Sequence, residues 1–338
     1  MNEKLVHWLK ASIIVLGWSI TPVVGKYVVD ITEQATAYQL SFFRYLIAAV
    51  ILYIILMFQK KVSNRDIFIS VKKNWWKYII ISIFCALMPV LLFLAVNNTT
   101  ASTASFLLNA NIVILPIMSF FIIKERITKR YLIALIFALI GLFFVIFDEN
   151  ILNLTNLPFG TVGANLLALG SGISWASNAI LPFGTVGGNL LALGSGISWA
   201  LYTIFLKKFF SKDNPLMVTF ISLLMGSVFL SFFAFLIPPV EMSFNILGIF
   251  LLFAMAIIGT SFAYSLWLDI LSYLSTTETG ILQVLVPIVS VTWSVIFLEE
   301  GKKLTYFFGI GAVLIIVSIL IFEIGREKLL LQDGNQEK

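Results

Sequence analysis

The sequence predicts an all-α polytopic membrane protein. Ten transmembrane helices are set out as two inverted five-helix repeats, with one extra duplicated apolar segment between them. Three observations predict this. Hydrophobic residues make up 60% of the 338 and charged residues only 12%, where a soluble domain carries about 45–50% and about 25%; lipid must cover much of that apolar surface. Apolar runs of spanning length follow one another with short connections, leaving no room for a separate soluble domain. The Lys and Arg residues gather between alternate runs, as they do in cytoplasmic loops, so the net charge of +5 speaks of topology rather than of nucleic acid.

A spanning helix needs about 20 mostly apolar residues. The first half offers Leu9–Val29, Ala37–Phe58, Trp76–Val96, Ser102–Ile123 and Tyr131–Phe147. Then come Val162–Ile180, Val186–Leu206, Leu216–Ile237, Ile246–Trp267, Gly280–Leu298 and Tyr306–Ile324, eleven stretches in all. The first follows Lys4 and Lys10 like a signal peptide, but it lacks an A-x-A-like site and more spans follow, so it is read as an uncleaved helix. The tail from Arg326 to Lys338 is polar and expected to fray. Cys85, the only cysteine, lies inside an apolar run; it can form no internal disulfide and is read as a small buried hydrophobe. His7, the only histidine, is read as a solvated residue of the N-terminal tail.

Two internal repeats are present. Leu157–Ala176 (LPFGTVGANLLALGSGISWA) returns as Leu181–Ala200 (LPFGTVGGNLLALGSGISWA), differing only at Ala164 and Gly188. Diverged structural repeats never stay this alike, so this 24-residue unit is a recent duplication, an insertion or an assembly artefact. The second repeat is weak. Trp18 precedes Lys26 by eight residues, as Trp199 precedes Lys207, and each Trp has a serine neighbour, Ser19 or Ser198. Ser102–Glu125 lies over Thr277–Glu300 at a constant offset of 175, pairing Leu107 with Leu282, Glu125 with Glu300 and Tyr131 with Tyr306. A five-helix unit occurring twice must be inverted the second time, because five is odd; secondary transporters commonly have this arrangement.

The two repeats disagree on the number of spans, and the positive-inside rule arbitrates. Ten spans with a cytoplasmic N-terminus place 18 of the 22 Lys and Arg residues inside and three outside, Lys26, Lys302 and Lys303, with Arg44 within a helix. Eleven spans leave 14 inside and seven outside. The downstream copy is expected to be the sixth helix, because it alone continues into LYTIFLKKFF with its basic end. The upstream copy, carrying Asn165 and several Gly and Ser residues, is expected to lie outside as a re-entrant or interfacial segment. The units are then 1–150, 157–180, 181–325 and a polar cytoplasmic tail 326–338.

Several segments together resemble the drug/metabolite transporter superfamily, specifically its EamA-type ten-helix members. LSFFRYLIAAV with Arg44 resembles that family's second helix, and LLFLAVNNTTASTASFLLNANIVILPIMSFFIIKERIT its third-to-fourth stretch. NLLALGSGISWALYTIFLKK resembles the sixth helix, and FAYSLWLDILSYLSTTETGILQVLVPIVSVTWSVIFLEE the eighth-to-ninth. The sequence departs at Ile112, where the family has Pro and Pro116 supplies the kink, and in the duplicated segment. The resemblance implies export of small metabolites, amino-acid-like or amphipathic, by alternating access, with no cofactor. The implied partners are a small-molecule substrate and the lipid bilayer of the cell membrane, with a homodimer left open. An inactivated or non-transporting membrane protein of the same fold is the alternative.

Candidate substrate-binding residues are the polar and aromatic groups inside spans. Arg44 is an intramembrane charge, which by default marks function unless it snorkels to the headgroups. Trp18 and Trp199 hold equivalent places in the two halves, and Trp267 also lies within a span. Tyr38, Tyr202 and Tyr264 add polar tips. Carrier sites lie at the midplane between repeats, so these aromatics are candidates for a cavity wall; otherwise they pack. Asn109, Asn111 and Gln283 either bind a polar solute or hydrogen-bond between helices. Glu125 and Glu300 are read as ion pairs with neighbouring Lys and Arg that fix helix ends, and Gly194-Ser195-Gly196 as a close helix contact. Asp269 and Glu278 flank a cytoplasmic turn; they, or an end-of-helix Glu, are candidates for proton coupling, beside facilitated exchange. No Walker A sequence, His/Cys metal cluster or Ser–His pairing is present, which argues against an ATPase, a metalloprotein and an intramembrane hydrolase.

Overall fold

The computed structural model describes residues 3–59, 62–111, 129–147, 184–210, 212–236, 242–270 and 276–336, with 114, 117, 118, 121 and 122. Among these all regular structure is helical. In chain order the helices are α1 Glu3–Ser19, α2 Thr21–Lys26, α3 Ala37–Gln59, α4 Asn64–Val96, α5 Ala101–Asn109 and α6 Lys129–Phe147. They continue as α7 Gly184–Phe210, α8 Pro215–Leu236, α9 Ile246–Ala256, α10 Ala263–Ile270, α11 Thr276–Leu298 and α12 Tyr306–Gln336. Among the described residues six helical runs are long and apolar enough to cross a membrane: Trp8–Ile31, Ala37–Gln59, Asn64–Val96, Val186–Phe210, Pro215–Phe235 and Ile246–Leu266. Leu132–Val145, Leu285–Leu298 and Tyr306–Ile321 are shorter apolar helices. The upstream copy of the tandem repeat lies outside the described residues; the downstream copy runs into α7.

Two runs are not continuous α-helix. Pro22, at the start of α2, cannot donate the helical bond to the Trp18 carbonyl, so the helix breaks at Ile20. Wider π turns follow at Tyr27–Ile31 and, between α9 and α10, at Ile257–Phe262. Such turns often mark functional sites. The second turn directs Thr260 and Ser261 back onto Met255 O (3.2 Å) and Ala256 O (3.0 Å), five residues behind.

The tightest approaches are glycine contacts. A Cβ on Gly17 would stand 2.9 Å from Ile258 O, and one on Gly259 would stand 2.7 Å from Gly17 O, so α1 and the π turn meet backbone to backbone. Gly141 of α6 and Gly311 of α12 repeat this reciprocally, at 2.8 Å from Gly311 O and 2.7 Å from Gly141 O. The other broad pairings are α4 with α7, α8 with both α3 and α4, and α5 with both α7 and α11. One apolar core gathers Phe93, Phe106, Leu107 and Ile315. A second gathers Tyr45, Leu52, Tyr78 and Leu223. Ile133, Ile136, Leu139, Ile140 and Phe143 are exposed along one face of α6, as are Phe250 and Phe253 on α9. Their helical spacing makes stripes that lipid would cover.

Two boundaries differ from expectation. α4 starts at Asn64 rather than near Trp76, because Ser63 and Asp66 close a capping box: Ser63 Oγ accepts from Asp66 N and Asp66 accepts from Ser63 N. A non-helical residue, Asn74, kinks this amphipathic start away from the apolar remainder. The tail expected to fray is instead helical through Gln336. Extending an existing helix costs little, and strong helix formers continue until Gly334.

Candidate functional site

Four of the residues singled out from the sequence meet in one row. The Trp18 ring stands edge-on to Tyr264, centroids 6.4 Å apart at 70°. Tyr264 is 5.5 Å from Trp199, and Trp199 is 5.4 Å from Tyr202. The row therefore joins α1, α10 and α7, drawing on both halves of the chain, with Tyr264 between the two equivalent tryptophans. Both tryptophans keep part of their surface exposed, whereas Tyr264 and Tyr202 are buried. The Tyr202 hydroxyl faces Thr219 and Ser222 of α8. Tyr38 stands apart, its ring stacked at 6.0 Å on Phe233.

Arg44 does not snorkel. It is 4% exposed and turned inward. Its Nε donates to Thr260 Oγ1 at 2.8 Å, across 216 residues of sequence. Thr260 lies one turn before Tyr264, which with Tyr45 and Cys85 is among the titratable side chains around the guanidinium. Its Nη1 is buried with no hydrogen-bond partner. Among the described residues no carboxylate stands within 4.0 Å of it. A buried, unpaired cation is costly, and every orphaned donor of this kind calls for a role. Nearby, Tyr45 donates to Cys85 O at 2.8 Å, and Ser261 donates to Ala48 O at 3.2 Å, zipping α3 to the π turn. Cys85 is fully buried, the apolar packing role expected of it.

The asparagines turn to their own helix. Asn109 Nδ2 donates to Ser105 O at 2.8 Å and Asn111 Nδ2 to Leu108 O at 2.7 Å. Both side chains are partly exposed. The side chains of Trp267, Gln283, Asp269, Glu278 and His7, and all of Glu125, lie outside the described residues.

A second polar site was missed from the sequence. Lys26, counted on the outer side of the membrane, is buried at the end of α2. It donates to Asp30 Oδ2 (2.7 Å), Val96 O (2.5 Å) and Thr99 O (3.0 Å). Thr99 Oγ1 donates to Asn189 Oδ1 of α7 at 2.6 Å, and Asn189 Nδ2 to Val145 O at 3.2 Å. Glu300, expected in an ion pair, is fully buried and caps α5. Its two oxygens accept from Ala101 N (2.9 Å), Ser102 N (3.2 Å) and Ser102 Oγ (3.2 Å), and Ser102 also bonds Ser294. A carboxylate suits this place because a helix N-terminus offers free N–H groups and a positive dipole end. The only sequence signal was a Glu at a helix end, which does not say what it faces.

Within the GSG motif the three residues differ. A Cβ on Gly196 would fall 2.7 Å from Leu108 O, a backbone atom that cannot yield, whereas one on Gly194 meets only Leu91 Cδ1 at 3.5 Å. Ser195 donates to Met88 O at 2.7 Å. Gly196→Ala is expected to destabilise by about 1–3 kcal/mol through overpacking, and Gly194→Ala by less than about 0.5 kcal/mol. Thermal unfolding of the purified protein reads both; equal midpoints would show that α5 and α7 do not meet at Gly196.

Comparison with known proteins adds three findings. The model of the EamA-like transporter family matches residues 8–147 and again 186–323. The chain is 24% identical over 319 residues to the uncharacterized transporter YyaM of Bacillus subtilis (strain 168), covering 92% of this chain and 93% of that one. It is 25% identical over 313 residues to the uncharacterized transporter YetK of the same organism, covering 90% and 83%. A solved crystal structure superposes with a TM-score of 0.56 at 13% identity, over 94% of this chain and 96% of that one, a likeness of fold alone.

Proposed function

The chain belongs to the EamA-like transporter family, and on that premise we propose that it is a secondary carrier that exports small amphipathic metabolites by alternating access. The substrate carries a carboxylate, as an amino acid does. Arg44 holds that carboxylate through the nitrogen it leaves open, and the row Trp18–Tyr264–Trp199 receives the apolar part. That open, buried guanidinium nitrogen beside aromatics from both halves is the observation that carries the reading. Asn109, Asn111 and Tyr202 are assigned to the wall.

Ten spans in two inverted halves fit the packing. The pairs α3–α8, α5–α11 and α6–α12 each join corresponding helices of the two units, and α1 packs on the π turn before α10 much as α7 packs on α4. The Gly141–Gly311 contact is reciprocal, as a local two-fold axis requires. The two matched stretches leave out 148–185, which includes the upstream copy. The bilayer concerned is the cell membrane, with both termini cytoplasmic.

Uptake into proteoliposomes of a panel of amino acids, their amides and uncharged amphipathic solutes tests the function. Saturable uptake of carboxylates over their amides is expected, and no solute taken up above empty liposomes would overturn it. Running the panel with and without a pH gradient separates exchange from proton coupling. Topology is read with single cysteines at Ser177 and Ser211 in a Cys85→Ala background. Ser177 is expected to label from outside and Ser211 only from the cytoplasm; external labelling of Ser211 would sink the ten-span arrangement.

A further inference from the structure

A second site lies at the far end of α4 from Glu300. The amphipathic start of α4, the kink at Asn74 and the α7–α8 turn enclose an open cavity of about 490 Å³, within the size range of small-ligand sites. Lys73, Lys77 and Lys212 line it, together with Asp66 and Asp213. Asp66 is engaged elsewhere, its Oδ2 accepting from Ser63 N at 2.9 Å and from Ser63 Oγ at 2.7 Å. Among the described residues none of the three lysines has a carboxylate within 4.0 Å. Lys77 is held at the wall by aromatic faces, its Nζ 5.8 Å from the Trp76 ring and 5.9 Å from that of Phe209. Three ammonium groups against two carboxylates leave one positive charge, which a single phosphodiester monoanion neutralises.

The cavity's surroundings say where that anion comes from. Phe68 (68% exposed), Trp75 (57%) and Trp76 (45%) stand out beside the lysines. Exposed tryptophans next to lysines at the end of an apolar helix mark the headgroup level of a bilayer. A soluble phosphate would leave that apolar rim uncovered, whereas acyl chains would cover it. We propose that this cavity is a binding site for the phosphodiester headgroup of an anionic phospholipid, with its acyl chains running along Trp76 and Phe209. Lys73, Lys77 and Lys212 bind the phosphate and fix the turn between α7 and α8 against the kink in α4.

The test uses the full chain in nanodiscs made of equal parts phosphatidylglycerol and phosphatidylcholine, extracted into detergent, with the retained lipids read by native mass spectrometry. At least tenfold enrichment of phosphatidylglycerol is expected, falling about fivefold for each lysine neutralised in Lys73→Gln, Lys77→Gln and Lys212→Gln. The charge-matched pair Lys302→Gln and Lys303→Gln, at the Glu300 end, should leave it unchanged. Inorganic phosphate in excess should not displace the lipid. Equal retention of the two lipids by the unmodified protein would overturn the proposal without any variant. Displacement by inorganic phosphate would overturn the lipid as the occupant, and equal losses in both sets of variants would overturn the cavity as the site.

Discussion

Arg44→Gln is expected to lower carboxylate transport by about 30-fold or more while leaving the protein folded. Losing a buried, charge-assisted contact to a carboxylate costs about 2–5 kcal/mol, and about 1.4 kcal/mol is tenfold. The loss should be confined to carboxylates, since transport of the matching amides draws nothing from the charge. Arg44→Lys should fall between, because an ammonium keeps the charge but not the planar fork that grips two oxygens. Stability should move the other way. The guanidinium is 4% exposed with Nη1 unpartnered, so in the empty protein it is a cost, and glutamine can still meet Thr260. A thermal midpoint equal to or above that of the unmodified protein, with transport lost, would be the signature of a site strained for function. A lowered midpoint with carboxylates and amides affected alike would make Arg44 a structural pin between α3 and the π turn.

Glu300→Ala should have the second-largest effect, and on a different quantity. It strips the acceptor from Ala101 N, Ser102 N and Ser102 Oγ in a site closed to water. Hydrogen bonds to a charged group contribute about 1.5–3 kcal/mol each, so loss of the pair of backbone caps should cost about 3–6 kcal/mol in unfolding. Glu300→Gln keeps an acceptor and should cost less. The contact ties the N-terminus of α5 to the end of α11, elements of different halves, so in an alternating carrier it holds that end shut. Weakening it by about 1.4 kcal/mol shifts the balance of states tenfold. Ser105, one turn further along α5 on the side of Ser102 and Asn109, is 1% exposed; as Ser105→Cys it should become reactive to a membrane-impermeant maleimide in Glu300→Gln. If labelling and transport stay as they were, Glu300 is a static cap and no gate.

The aromatic row shows how far the candidate site could be read in advance. Trp18 and Trp199 were legible as equivalents because the eight-residue spacing to Lys26 and Lys207 is a property of the chain itself. That both meet Tyr264 was not, since nothing local sets which turn of α10 faces them. The asparagines were legible as polar groups in an apolar stretch, but not their choice of partner: an amide one turn from a free carbonyl of its own helix closes locally at little entropic cost. The burial of Lys26 was not legible, because a cation near a helix end usually reaches water. Here three oxygens, from Asp30, Val96 and Thr99, replace that water.

By itself the sequence determined the class of the protein, its succession of apolar helices, the doubling of its family unit and the family it resembles. The class and the helices rest on hydrophobicity within about 20 residues, the length at which a bilayer acts on a chain; the doubling rests on a pattern that returns at an offset of 175, and the family on the segments that resemble it. The tertiary structure alone decided that Arg44 turns inward to Thr260 with one nitrogen left over, and that Glu300 caps α5. It alone decided that Gly196, not Gly194, is where α7 touches α5. Those outcomes join residues up to 216 apart. A polar group withdrawn from water must take whatever partner the packing brings to it, and which partner that is depends on helix pairings that no local pattern encodes.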